Sequence, residues 1–439
     1  MSNKIYPIGV QNFEKIRRDG YFYVDKTALV YQLAKSGSYY FLSRPRRFGK
    51  SLLLSTLEAY FEGKKELFAG LAIERLEKDW EQYPVLHLDL NARRYENIGS
   101  LLAELNKYLE IWEQAYDSPF GDRKPEERFY QVIRRAYEVT GQRVVILIDE
   151  YDKPLLQTIG NPELQEVYRS LLKAFYGVMK SADGYIRFAM LTGVTKFSKV
   201  SVFSDLNNLE DISFRRNYNE LCGISEQELQ DNLGDELPEF SRSLDLTESE
   251  LCDKLRRYYD GYHFAPGTAG IYNPFSLLHA FKNREFGNYW FATGTPSYLV
   301  ELLKRNGYDL DRLSHEETDA ETLDGVDSVH SDPIPVIYQS GYLTIKGYDS
   351  RFGTYRLGFP NLEVEEGFVK YLLPYYANVR YEPGPYRLGL ANGSLYLCDG
   401  IQVERYGRGG LAPNQRKTIY PALCCRWSED CQNRCEFFI

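Results

Sequence analysis

A short apolar run, Tyr39-Tyr40-Phe41-Leu42, leads through Ser43-Arg44-Pro45-Arg46-Arg47-Phe48 into Gly49-Lys50-Ser51, where a helical pattern begins and continues through Leu52, Leu53, Leu54, Leu57, Tyr60 and Phe61. About a hundred residues on, a second apolar strand, Val144-Val145-Ile146-Leu147-Ile148, ends in Asp149-Glu150. The first amides of a helix have no partner within it, and the dipole places partial positive charge there, so the start at Gly49 suits an anion. Gly49 lets the backbone approach closely, the Lys50 ammonium would reach β- and γ-phosphates, and the Ser51 hydroxyl would bind Mg²⁺. Strand ends at the carboxyl edge of a parallel sheet are where ligands bind, which makes Asp149 the Mg²⁺ partner and Glu150 the base for an attacking water, with Asp152 next in line.

Taken singly, each motif has an ordinary reading, a helix start or a polar strand end; their order and spacing together predict an ATP site with Mg²⁺ as cofactor. Arg46, Arg47, Phe48, Gly49, Lys50, Ser51 and Leu52 form its predicted nucleotide-binding loop. The loop departs from G-x-x-x-x-G-K-[ST] in having Arg44 where a Gly is usual, and Pro45 after it favours an extended backbone. Thr192, at the end of Ile186-Arg187-Phe188-Ala189-Met190-Leu191-Thr192, is placed either to orient the water or sense the γ-phosphate, or simply to bond its own turn. Arg46 and Arg47 read equally as phosphate or base contacts and as a solvated pair. Arg215 and Arg216 read first as a surface pair and second as arginine fingers acting in trans.

These stretches, with Tyr23-Val24-Asp25-Lys26-Thr27, Asp149-Glu150-Tyr151-Asp152, Leu191-Thr192-Gly193-Val194-Thr195-Lys196-Phe197-Ser198, Leu206-Asn207-Asn208-Leu209 and Tyr259-Asp260-Gly261-Tyr262, resemble the bacterial AAA-ATPase-like family. Arg44 is then a habit of that family. The resemblance spans residues 6 to 371. It implies ATP hydrolysis and, by resemblance only, work on nucleic acid through a C-terminal PD-(D/E)XK nuclease-like domain.

The 439 residues carry 53 Lys and Arg against 62 Asp and Glu, a net charge of −9, so no global field draws the chain to nucleic acid. The 37 tyrosines are scattered and read as half-buried packing. With neither a signal peptide nor a membrane-spanning run, the expectation is a cytoplasmic protein without membrane partners, and a homo-oligomer stays open. His263 reads as loop packing, and the five histidines have no metal spacing.

Strands at 39–42, 84–90, 144–148 and 186–192 with helices between them predict an α/β fold, a P-loop NTPase-like parallel sheet over residues 1–214. A helical lid is expected over 215–305, opening at the capping-box pattern Ser225-Glu226-Gln227-Glu228. A small winged-helix-like α+β module is expected over 306–372, with a helix at 334 running into a β-hairpin.

Residues 373–439 read as a disordered or non-native tail. Five of the seven cysteines fall there, Cys398, Cys424, Cys425, Cys431 and Cys435, at spacings that match no zinc knuckle. Re-reading Gly393 to Ile439 one nucleotide forward, with free choice of synonymous codons, gives a strand, a Glu-x-Lys element at Gly400 to Gln402 and an amphipathic helix that resemble the end of the family's nuclease domain. The expectation is a truncated, frameshifted remnant without nuclease activity. Two functions follow: an ATP-hydrolysing motor or switch, or a non-catalytic nucleotide-gated interaction module or degraded gene product.

Overall fold

A computed structural model describes residues 4–118, 121–197, 208–292, 316–323 and 333–368, with Leu299 and Leu303, and the backbone of 387–391, 394–399 and 402–405. In chain order, α1 (Phe13–Arg18) and α2 (Thr27–Ser36) precede β1 (Tyr39–Ser43), α3 (Lys50–Phe61), α4 (Ala72–Leu76) and β2 (Val85–Asp89). Then come α5 (Ile98–Ala115), α6 (Pro125–Thr140), β3 (Val144–Asp149), α7 (Lys153–Gln157), α8 (Pro162–Ser181), β4 (Ile186–Gly193) and β5 (Glu210–Asp211).

The five strands form one parallel sheet in the order β2-β3-β4-β1-β5. Four of them match the strands expected from the apolar runs; the fifth has two residues, too short for periodicity to register. Parallel strands need crossovers, and the intervening helices cover both faces, which is why β1 and β3 are continuous apolar runs instead of alternating ones. Alternate side chains still sort by face. Tyr40, Leu42, Val145, Leu147, Phe188 and Met190 pack with α2 and α3, whereas Tyr39, Phe41, Ile146, Ile148, Ala189 and Leu191 pack with α5, α6 and α8. Strand β2 lies at the edge and is correspondingly only half-buried at every other residue.

The helical region follows: β6 (Ile224–Ser225), α9 (Glu226–Leu233), α10 (Leu237–Ser243), α11 (Glu248–Tyr259), β7 (Ile271–Tyr272), α12 (Pro274–Asn283) and α13 (Tyr289–Ala292). The capping box at Ser225 and Glu228 starts α9 as expected, and a second one, Thr247 with Glu250, starts α11. These helices share their own apolar cluster around Leu233, Phe240, Leu255 and Phe281.

Farther on, the helix Ile334–Gln339 leads into the antiparallel sheet of β8 (Glu317–Asp319), β9 (Thr344–Asp349) and β10 (Thr354–Gly358), in the order β8-β10-β9. Ile337, Tyr342, Leu343 and Leu357 from this part belong to the same apolar cluster as Leu54 and Leu57 of α3. A Cβ on Gly341 would sit 2.5 Å from Pro45, so the turn before β9 rests directly on the loop after β1. Of the tail, the backbone of β11 (Arg387–Ala391), β12 (Ser394–Asp399) and β13 (Gln402–Arg405) forms an antiparallel meander. The remainder of the tail, including Cys424, Cys425, Cys431 and Cys435, lies outside the described residues, as do Ser198, Leu206 and Asn207 of the sequence motifs.

Candidate functional site

The carboxyl ends of β1, β4 and β3 are neighbours in that order, with Ser43 paired to Gly193 and Ile148 to Leu191. The loop after β1, the Thr192 end of β4 and the Asp149-Glu150 end of β3 therefore meet at one edge of the sheet. They open onto a cavity of about 960 Å³ lined by Arg46, Arg47, Phe48, Gly49, Lys50, Ser51 and Leu52 together with Glu150 and Lys153.

The loop makes its left-handed turns at Arg47 (φ 68°) and Gly49 (φ 96°), the residue capping α3. This is how it does without a Gly at position 44. Arg44 instead is buried, and its guanidinium donates to the carbonyls of Ser43 (2.9 Å), Ser213 (2.8 Å) and Tyr218 (3.1 Å) and lies 4.0 Å over the Phe264 ring. Burial lowers its pKa to about 10, still leaving the guanidinium charged at neutral pH. Phe48 turns its ring inward, edge-on to Tyr262 at 4.7 Å and to Phe264 at 5.4 Å, so its side chain belongs to the core. Arg46 and Arg47 stack on rings of the helical region, 4.8 Å over Trp290 and 4.9 Å over Phe275.

Lys50, the first residue of α3, is buried with its ammonium on the carbonyls of Arg44 (3.1 Å) and Pro45 (3.3 Å) and 3.5 Å from Glu150 Oε1. Asp149 Oδ1 accepts from Thr192 Oγ1 (2.6 Å) and from the Glu150 amide (3.0 Å). Thr192 is thus a clamp on Asp149, fully buried. Glu150 has φ 52°, a left-handed conformation uncommon for a residue with a Cβ, which turns its side chain out of β3 into the cavity. Desolvation, then Asp152 and Asp149, push its carboxyl above the ordinary range against the pull of Lys50.

Asp152 is no alternative base. Its Oδ2 accepts from the amides of Val194 (3.0 Å) and Thr195 (2.6 Å) and from Thr195 Oγ1 (2.7 Å), fully buried beneath the site. Tyr151 Oη likewise donates to the Thr195 carbonyl and accepts from the Phe197 amide. Lys196 pairs with Asp211 of β5 at 2.6 Å, and its amide donates to Gln339. The two sequence motifs therefore interlock, a structural role that explains why they are rich in polar residues yet buried.

The donor set suits Mg²⁺. Among the described residues, Asp149 Oδ2 and the Ser51 hydroxyl take part in no hydrogen bond, and both belong to the hard oxygen class this ion prefers. No cluster of three His, Cys, Asp or Glu that could hold a metal occurs among the described residues.

Part of the cavity was not visible in the sequence. Its far wall is built by Ile8, Val10, Phe22 and Val24 from the N-terminal segment and by Ile224 and Leu278 from the helical region. A 2.5 Å ion pair between Lys26 and Glu228 of α9 joins those two walls. Only the motif around Tyr23 hinted at this, since short irregular segments carry no periodicity. Arg215 is exposed and pairs with Glu210 at 3.4 Å, and Arg216 is exposed too. His263 packs in its loop, its Nδ1 2.9 Å from the Thr268 carbonyl and its amide donating to Thr344. Cys222 and Cys252 are free thiols. No helix among the described residues is long and apolar enough to cross a membrane.

Residues 7–203 match a family described as predicted AAA-ATPase. Over 401 residues the chain is 42% identical to an uncharacterized protein in the vnfD 5′ region of Azotobacter chroococcum mcd 1, covering 90% of this chain and 74% of that one. The Aeropyrum pernix ORC2 protein, solved in ADPNP–ADP complexes, aligns over 86% of this chain and 96% of its own at 11% identity, with a TM-score of 0.26.

Proposed function

The chain belongs to the predicted AAA-ATPase family, and from that premise we propose that it binds ATP with Mg²⁺ in the cavity above the sheet and hydrolyses it. The observation that carries this reading is the convergence of Lys50 and Ser51, after β1, and Glu150, after β3, on one cavity, with Asp149 beside Glu150 at the end of β3 and bonded to Thr192 of the intervening strand β4. The amides at the start of α3 and the Lys50 ammonium would take the β- and γ-phosphates, a phosphate oxygen replacing the loop carbonyls that Lys50 now contacts. Ser51 and Asp149 would hold Mg²⁺, which neutralises phosphate charge when bound. The apolar far wall from Ile8 to Leu278 has the character of a base pocket.

Glu150 is the base of this reading. Water oxygen forms a bond to the γ-phosphorus, the bridging O–P bond breaks with its electron pair left on ADP, and the water proton passes to the Glu150 carboxylate. A carboxyl pushed above its ordinary range accepts that proton more readily. Thr192 acts by orienting Asp149. The finer expectations stay with this proposal: the division at 214, 305 and 372, a cytoplasmic setting, a homo-oligomer, and nucleic acid as partner through a nuclease remnant, the last resting on resemblance alone.

Calorimetric titration with Mg²⁺-ATP and phosphate release from the full chain test it. Binding that Lys50→Ala removes, and turnover that Glu150→Gln removes while binding persists, support the reading; wild-type affinity in Lys50→Ala overturns it.

A further inference from the structure

We propose that Arg94 is a catalytic arginine acting in cis, reaching from the loop after β2 to the terminal phosphate of the nucleotide held by Lys50. The inference rests on the ATPase reading above. Arg94 lines the same cavity as Lys50, Ser51 and Glu150 and is exposed to solvent there.

Most other cations lining that cavity already have a partner. Lys26 pairs with Glu228, Lys153 donates to the Asn91 carbonyl at 2.6 Å, and Lys50 rests on the loop carbonyls that a phosphate would replace. Arg46 and Arg47 are held by stacking on Trp290 and Phe275, with Arg46 Nε and Nη2 buried and without a hydrogen-bond partner among the described residues. Arg93, the neighbour of Arg94, pairs with Glu104 at 2.9 Å. Arg94 makes no hydrogen bond or ion pair among the described residues. Its guanidinium is therefore available to an incoming anion.

The backbone that carries it is nonetheless fixed. On one side Asn91 is held by Lys153 and by the Asp89 carboxylate, which accepts its amide at 2.7 Å. On the other the Tyr95 amide donates to Gln157 Oε1 (2.9 Å) and the Tyr95 hydroxyl to the Leu90 carbonyl (2.8 Å). Lys153 and Gln157 are the first and last residues of α7, which begins three residues after Glu150. Asp89 pairs in register with Asp149, so the Arg94 loop and Glu150 leave the sheet side by side. A fixed base with an uncommitted charged end is what stabilising a developing charge requires: little reorganisation of the frame, and donors for the γ-phosphoryl oxygens as the bridging bond breaks. The guanidinium presents a planar pair of donors that an ammonium lacks.

The test uses full-length Arg94→Ala and Arg94→Lys, reading fluorescent-ATP affinity, affinity for ADP with aluminium fluoride as the transition-state mimic, and kcat over a range of protein concentrations. The expected result is ATP affinity within about threefold of wild type, with kcat and aluminium-fluoride affinity lower by about 10³-fold in Arg94→Ala and only partly recovered by Lys. Wild-type kcat should not depend on protein concentration. Arg94→Ala with unchanged kcat, a loss of kcat without loss of aluminium-fluoride affinity, or a wild-type kcat that rises with concentration, as fingers in trans would give, each overturns the cis assignment while leaving the ATPase reading intact. A wild-type chain that neither binds nor hydrolyses ATP removes both.

Discussion

The indole N–H of Trp290 donates to the carbonyl of Arg46 at 3.1 Å, tying the phosphate loop to the helical region. The same residue accepts the Arg46 guanidinium on its ring, and its own amide donates to Glu363 Oε1 at 2.7 Å. The loop is therefore held from outside the parallel sheet as well as from within it. Trp290→Phe keeps a ring against Tyr342 and removes the indole bond. Such a bond contributes about 0.5–1.5 kcal/mol, so ATP affinity should fall by roughly three- to tenfold if the loop relaxes. Fluorescent-ATP titration checks this, and an unchanged dissociation constant means that the helical region does not set the loop's conformation.

Lys50 and Glu150 should separate binding from chemistry. Lys50→Ala removes the buried ammonium at the start of α3 and should abolish measurable Mg²⁺-ATP binding. Glu150→Gln keeps the side chain's shape and loses its proton-accepting charge, so ATP should still bind while turnover drops by about 10²-fold or more. Calorimetry and phosphate release on the same preparations decide it; equal turnover in Glu150→Gln would exclude Glu150 as the base.

Arg44→Gly restores the residue usual for a phosphate loop and should nevertheless harm the protein. Three carbonyls, those of Ser43, Ser213 and Tyr218, would lose a charged donor and Phe264 its stacked partner. Hydrogen bonds to charged groups contribute about 1.5–3 kcal/mol each in stability measurements, so a loss of at least about 3 kcal/mol is expected. Urea denaturation reads this directly, and a variant as stable as wild type would show that Arg44 is incidental.

What the sequence disclosed follows from what periodicity encodes. The apolar runs at 39–42 and 144–148 stand out because strands buried on both faces need no alternation, and Gly49-Lys50-Ser51 stands out because a lysine at a helix start opposes the helix dipole unless an anion is held there. Strand order is not written in any run; that β4 lies between β1 and β3 depends on crossovers and packing between distant segments. Likewise hidden was the turn geometry, since nothing local announces a left-handed Arg47 or Glu150; surrounding contacts impose it. Asp152 misled for a related reason. Its neighbours in sequence are catalytic candidates, but its hydrogen-bond partners lie some forty residues away at Val194 and Thr195.

Glu363 makes a pH prediction independent of ATP. Its carboxyl is fully buried, accepts from Ser276 Oγ (2.9 Å) and the Trp290 amide (2.7 Å), and has no partner for Oε2. Desolvation outweighs those two bonds and pushes its pKa up to about 8. In the unfolded chain the same group loses its proton at the ordinary carboxylate pH. Between those two values the folded state holds a proton that the unfolded state has released, so this group's contribution to stability is complete at acid pH, declines as pH rises, and levels off above about 8. The slope is about 1.4 kcal/mol per pH unit at most. Glu363→Gln retains an oxygen for Ser276 and Trp290 but cannot ionise. The difference in unfolding free energy, Glu363→Gln minus wild type, should therefore grow by a few kcal/mol, on the order of 2–4, between pH 5 and pH 8. Thermal or urea unfolding of the two proteins across that range measures it, and a difference that stays constant with pH would mean that Glu363 is ionised throughout and stabilised by contacts other than these two.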